Sequence, residues 1–170
     1  SEIQKNLKPH DLFIEYFVTD SLIYIFGIDK DKITLQIAET NKKELQQKAL
    51  KLRKTLSNYE FIKKEPQKAY FEYTETAFWF YKNFLSSVFD SHPGKKNLYI
   101  VADAELGHLP FECFLTEKSD NEISYSKLPY LLNKYKVSYN YSANLWKENR
   151  MAAKLKNNRK IAAFAASYSV

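Results

Sequence analysis

Leu98-Tyr-Ile-Val-Ala-Asp-Ala-Glu-Leu-Gly-His-Leu-Pro-Phe-Glu-Cys-Phe-Leu115 is the stretch on which the fold turns. Tyr99 to Ala102 is a short, continuously apolar run, as expected of an inner strand covered on both faces. Asp103 ends that run, and an Asp that opens a turn accepts backbone amides and fixes the loop behind it. Beyond Leu109-Pro110, residues 111–115 predict a short helix with proline at its first position, where the missing amide costs nothing.

Upstream, segments 12–18 and 22–28 are rich in Phe, Ile, Tyr and Val, and Asp29-Lys30-Asp31-Lys32 makes a polar turn after them. Ile33, Leu35 and Ile37 then alternate with Thr34 and Gln36, the period of a half-buried strand. Together these segments predict an antiparallel meander. Asn41 followed by Glu44 matches a capping box, so a helix starts there, with Leu45, Ala49, Leu52 and Leu56 as its inward stripe and an end near Ser57-Asn58. Residues 59–72, polar and interrupted at Pro66, read as a mobile connector. A second helix is expected from Thr74 to about Phe89; its apolar band is too wide for a surface helix and marks it as the central packing helix. Asp90 to Gly94 supplies turn chemistry before the signature strand.

Downstream, Tyr135, Val137, Tyr139 and Tyr141 alternate with polar residues and predict a strand. Ser142 caps a basic helix reaching about Asn157, and Lys160-Ile-Ala-Ala-Phe-Ala-Ala166 reads as a further apolar strand. The fold class expected is α/β, a mixed sheet with an N-terminal antiparallel meander and flanking helices, with residues 1–170 as one domain.

A chain of 170 residues with 45% apolar content suffices for one sizeable core. Aromatic residues make up 16%, against three glycines and five prolines, which argues for a packed globule over disorder. One cysteine cannot form an internal disulfide, so a reducing compartment, the cytoplasm, is favoured. No apolar run approaches the length of a membrane span. The net charge of +6 is uneven: residues 42–54 hold six Lys/Arg against Glu44, and residues 147–160 hold six against Glu148. Both stretches read as solvated helix faces. Nucleic-acid binding by these two basic helices is the weaker alternative, because it would need exposed aromatics or base-reading side chains beside the lysines, whereas the apolar residues of these helices sit at core spacing. Tetratricopeptide periodicity is absent from the chain.

The opening stretch resembles the signature of the CHAT family, caspase-like cysteine-peptidase domains that are usually attached to tetratricopeptide repeats. Pro129-Tyr-Leu-Leu-Asn-Lys-Tyr-Lys-Val-Ser-Tyr-Asn-Tyr-Ser142 resembles a second family segment in order and distance, and Leu12 to Phe26 resembles its first hairpin. In that family the catalytic His precedes a Gly and the catalytic Cys follows a Ser-Ala pair, each at the end of a later core strand. Neither motif occurs here. The resemblance therefore implies the N-terminal, non-catalytic part of an incomplete CHAT domain, a fragment lacking the catalytic half and itself inactive. Its parent would be a bacterial cysteine endopeptidase that acts on a peptide or protein substrate, with repeats in the same polypeptide. The alternative is a CHAT-type scaffold or partner-binding module that has lost its catalytic residues.

No catalytic, cofactor-binding or metal residue is assigned from the sequence, and no cofactor is expected. Cys113 and His108, five residues apart, are the one pair open to a catalytic reading; Phe111, Glu112, Phe114 and Leu115 around the thiol favour a buried, inert one. His92, just past an aromatic helix, suits a C-terminal capping role better than a metal. His10 carries no signal, and the three histidines and one cysteine make no zinc spacing. Asp103 and Glu112 are the acidic residues of interest. Asp103 lies at a strand end where α/β clefts open, but holding the following loop is the stronger expectation for it.

Overall fold

A computed structural model describes residues 1–119 and 123–154. The expected strand at 160–166 and the end of the basic helix beyond residue 154 lie outside the described residues. Five strands form one mixed sheet: β1 (Asp11–Val18), β2 (Ile23–Ile28), β3 (Ile33–Ala38), β4 (Asn97–Val101) and β5 (Lys136–Tyr139), in the spatial order β3-β2-β1-β4-β5. The first three pair antiparallel as a meander, and β1, β4 and β5 run parallel. Both meander turns are closed by local side chains. Thr19 Oγ1 accepts from the Leu22 amide, and Asp29 Oδ1 accepts from the amides of Asp31 and Lys32, an Asx-type turn.

Strand pairing fixes two sheet faces. On one, Leu12, Ile14, Tyr16, Ile23, Ile25, Leu98 and Ile100 meet the helices α1 (Lys42–Ser57), α3 (Pro66–Phe84) and α4 (Ser86–Ser91) in the main core. Phe80, Phe84, Phe111 and Phe114 fill its centre, with Phe80 stacked on Phe114 at 5.1 Å. The opposite face has a smaller cluster of Phe13, Ile28 and Val101 with Leu7 and Trp146, the latter from α5 (Ala143–Lys154). β4 therefore has cover on both sides, as its continuous apolar run requires. α5 is pinned there by Arg150, whose guanidinium donates to buried Asp11 (2.7 Å) and lies over the rings of Tyr99 and Trp146.

Helix α1 starts where its cap lies, with the Asn41 side chain accepting from the Glu44 amide at 2.9 Å. Its buried stripe is Leu45, Ala49, Leu52 and Thr55; Leu56 is displaced outward to 38% exposure, because the chain turns at Asn58 into the next helix. The expected connector at 59–72 is helical instead. Asn58 caps α2 (Tyr59–Lys64), and Pro66 opens α3. A proline in the first turn pre-sets the backbone angle, so it starts this helix and does not break a loop. Ala69, Tyr70 and Tyr73 continue the buried stripe that runs on to Ala77, Phe80 and Phe84. At Leu85 the backbone leaves helical geometry, so the single helix expected to Phe89 is two, with α4 ending at Ser91.

Two shorter elements also differ. After Pro110 only Phe111–Cys113 forms a 3-10 turn, with the proline preceding its first residue, and Leu115 bridges to Tyr130. The strand expected through Tyr141 stops at Tyr139; Tyr141 is 93% exposed. Among the described residues no helix is long and apolar enough to cross a membrane.

Candidate functional site at the exit of the inner strand

Asp103 leaves β4 with both carboxylate oxygens committed to backbone. The Val18 amide at the end of β1 donates to Oδ2, and the Ala104 amide donates to Oδ1, both at 2.8 Å. Ala104 has φ +49°, a conformation costly for a side chain with Cβ, and the bond from its own amide to Asp103 holds it there. Asp103 thus ties the exit of β4 to the end of its parallel neighbour and launches the 3-10 segment Ala104–His108. A carboxylate with both oxygens so occupied has a positioning role.

Glu112 and Tyr139 form the next brace. The Tyr139 hydroxyl donates to Glu112 and accepts from the Phe111 amide (2.8 Å), so the Leu-Pro-Phe-Glu dock is bound to β5. Burial, together with the neighbouring Glu112 carboxylate, pushes the Tyr139 phenol far up and keeps it neutral. Phe111 and Phe114 are buried in the main core, which anchors this loop from beneath.

Cys113 is half-buried, and its carbonyl accepts from the Tyr73 hydroxyl at 2.6 Å. Burial pushes the thiol up, and Glu112 pushes it further in the same direction. Such a setting favours the thiol over the nucleophilic thiolate. His108 is exposed and lines a different cleft, with Gln46, Ala49, Leu50, Arg53 and Glu105, and no hydrogen bond joins it to Cys113. The structure therefore does not bring this pair together as a nucleophile and base.

A cleft of about 410 Å³ opens at the C-terminal ends of β4 and β5, lined by Ile100, Ala102, Gly107, Tyr139, Asn140 and Tyr141. Strand ends of this kind are where parallel sheets hold ligands. The Asn140 side-chain amide nitrogen is buried without a hydrogen-bond partner among the described residues. The lining can exchange hydrogen bonds with a guest but offers neither thiol nor imidazole.

One cluster was invisible in the sequence. The His92 ring is fully buried, with Nδ1 2.8 Å from Asp29 Oδ2 and Nε2 2.8 Å from Thr34 Oγ1. Lys95 Nζ reaches the same Asp29 oxygen at 3.1 Å. Burial alone would raise the Asp29 carboxyl, but bonds from His92, the Lys32 and Asp31 amides and Lys95 outweigh it and hold the group well below the usual carboxylate range. The expected capping of the helix end by the imidazole is not what the ring does: both of its nitrogens are taken by Asp29 and Thr34, and only the His92 backbone amide, which any residue except proline would supply, donates to the carbonyls of Val88 and Phe89. The order carboxylate, imidazole, hydroxyl matches that of a hydrolytic triad. Here, however, the ring is enclosed: a Cβ on Gly27 would sit 2.9 Å from His92 Nε2, Thr34 Oγ1 and Val88, so there is no room for a substrate against the imidazole. The cluster fastens the end of α4 to the β2–β3 turn. Both residues were readable as polar turn positions, but nothing local to either one signals the other.

The basic helices spend several cations within the chain. Lys48 lies over Trp79, Lys54 over Phe61, Lys51 faces Glu75, and Lys147 pairs with Glu2. His10 is exposed, with Nδ1 3.3 Å from the Gly94 carbonyl. No family model and no curated protein matches the chain.

Proposed function

We propose that this chain is the N-terminal, non-catalytic part of a CHAT-type protein and that it braces the caspase-like half of a bacterial cysteine endopeptidase. The observation that carries the reading is the use made of the signature stretch. Its Asp holds two backbone amides, its Phe sits in the core, its Glu accepts from the Tyr139 hydroxyl, and none of them faces a reacting group. Caspase-type chemistry needs a thiolate, an imidazole and oxyanion donors in one place. Cys113 has an acidic neighbour and a raised thiol, which fits a supporting element.

Two measurements test this. The 170-residue chain is expected to turn over no fluorogenic peptide and to leave Cys113 unlabelled by a thiol-directed active-site probe at neutral pH. A parent polypeptide longer by roughly 150 residues, about one domain, is expected to cleave peptides under reducing conditions. Turnover by the short chain would overturn the reading. A parent that folds but cleaves nothing would replace it with the scaffold role.

A further inference from the structure

The apolar band of α3 is wider than the core that receives it. Its buried stripe runs through Ala69, Tyr70, Tyr73, Ala77, Phe80 and Phe84. Phe71, Phe78 and Trp79 lie beyond that stripe. Phe71 is 41% exposed; Phe78 and Trp79 are half-buried, and Trp79 is spent only in part, edge-on to Phe80 (5.0 Å) and Phe84 (5.6 Å). The three rings line a cleft of about 670 Å³, a size that takes small guests.

Lysines ring this cleft. Lys48 reaches in from α1 and lies over the Trp79 ring (5.2 Å), and Lys82 comes from the last turn of α3. Lys118 comes from the loop after Thr116, which a hydrogen bond between Ser119 and the Tyr70 hydroxyl (2.9 Å) holds to the helix. Lysines nearby have carboxylates, Lys64 on Glu60 and Lys68 on Glu65, but none of these three has an ion pair or hydrogen bond among the described residues. The one acidic residue of the lining, Glu75, is exposed and meets Lys51 at 3.9 Å. Three uncompensated cations around an apolar floor suit an anion that carries an apolar group.

The other polar groups distinguish a peptide from a nucleic acid. Asn83 gives its Nδ2 proton to the Trp79 carbonyl (2.8 Å), which leaves Oδ1 as an acceptor, and Glu75 adds its carboxylate oxygens. A peptide brings amide donors to such acceptors and its own carboxylates to the lysines. A phosphodiester backbone brings acceptors only, and a carboxylate among the lysines repels it. Lys48 also lies over the Trp79 ring where a base would stack.

We propose that this cleft is a docking site for an acidic peptide segment, with an apolar side chain set against Phe71, Phe78 and Trp79 and carboxylates on Lys48, Lys82 and Lys118. The proposal rests on the cleft and is independent of the family reading.

Fluorescence anisotropy of a short labelled peptide, glutamates flanking a leucine pair, tests it on the full chain. The peptide is expected to bind at low salt, to weaken as salt is raised, and to bind at least about tenfold more weakly when its glutamates are replaced by glutamines. Lys48→Glu with Lys118→Glu should weaken binding at least about tenfold at unchanged circular dichroism, whereas Lys5→Glu with Lys30→Glu, the same change in net charge away from the cleft, should leave it within about twofold. Should Lys48→Glu unfold the chain, Lys82→Glu with Lys118→Glu carries the same expectation. Phe71→Ser should weaken binding severalfold, which a purely electrostatic attraction would not show. Absence of binding, equal losses from the two charge-reversed pairs, full affinity in Phe71→Ser, or tighter binding of a labelled oligothymidine at the same salt would each overturn the proposal.

Discussion

Asp29 is the residue whose titration the fold feels most. Its carboxyl is held well below the ordinary range, so the folded state binds its proton less readily than the unfolded chain does. The stability it adds is fully present above the unfolded value of about 3.9 and is lost as pH falls below it. Urea denaturation from pH 7 down to pH 2 should show that acid limb, and Asp29→Asn should flatten it. The same substitution leaves buried His92 and Lys95 without their anion and is expected to cost about 3–5 kcal/mol at pH 7. Asp103 belongs to the same scale. Asp103→Ala strips acceptors from the Val18 and Ala104 amides, and a loss of about 1–3 kcal/mol in equilibrium unfolding is expected. The positioning role of Asp103 was legible, because an Asp at a strand exit has amides within reach whatever the wider fold. The Asp29–His92 contact was not, since the partners are 63 positions apart and neither carries a local mark of the other.

Among the elements, helix α1 was legible to within a residue at its start because a cap is a local chemical event. Asn41→Ala should lower stability by about 1 kcal/mol, read from the urea midpoint at unchanged slope. Pro66 shows the opposite lesson. Read alone it breaks a connector, yet Ala69, Tyr70 and Tyr73 carry the same stripe as Ala77, Phe80 and Phe84, and that spacing was the signal that the helix begins eight residues earlier. On β2, Gly27 packs under α4 so closely that any Cβ meets His92, Thr34 and Val88 at 2.9 Å. Gly27→Ala is therefore expected to destabilise by about 1–3 kcal/mol through overpacking and to raise the unfolding rate, measured by stopped-flow. β3 could be placed as a strand from its alternation, but alternation names two faces without saying which one is inside.

Over the whole molecule, the sheet is asymmetric: a deep aromatic core on one side, and on the other a small cluster closed by α5. Trp146 is the keystone of that second side, in contact with Phe13 and Tyr99, and Trp146→Ala is expected to cost about 3–5 kcal/mol in thermal or urea unfolding. The meander, the start of helix α1, the inner character of β4 and the bracing use of its exit followed from the sequence alone, because periodicity, caps and turn residues act within a few positions of the chain. Which way β3 faces, the pairing of β1 with β4 and of β4 with β5, the meeting of Asp29 with His92 and the separation of His108 from Cys113 were decided only by the tertiary structure. Each of these is set by packing between segments tens of residues apart, where the gain from burying one face over the other depends on what the rest of the chain brings to it.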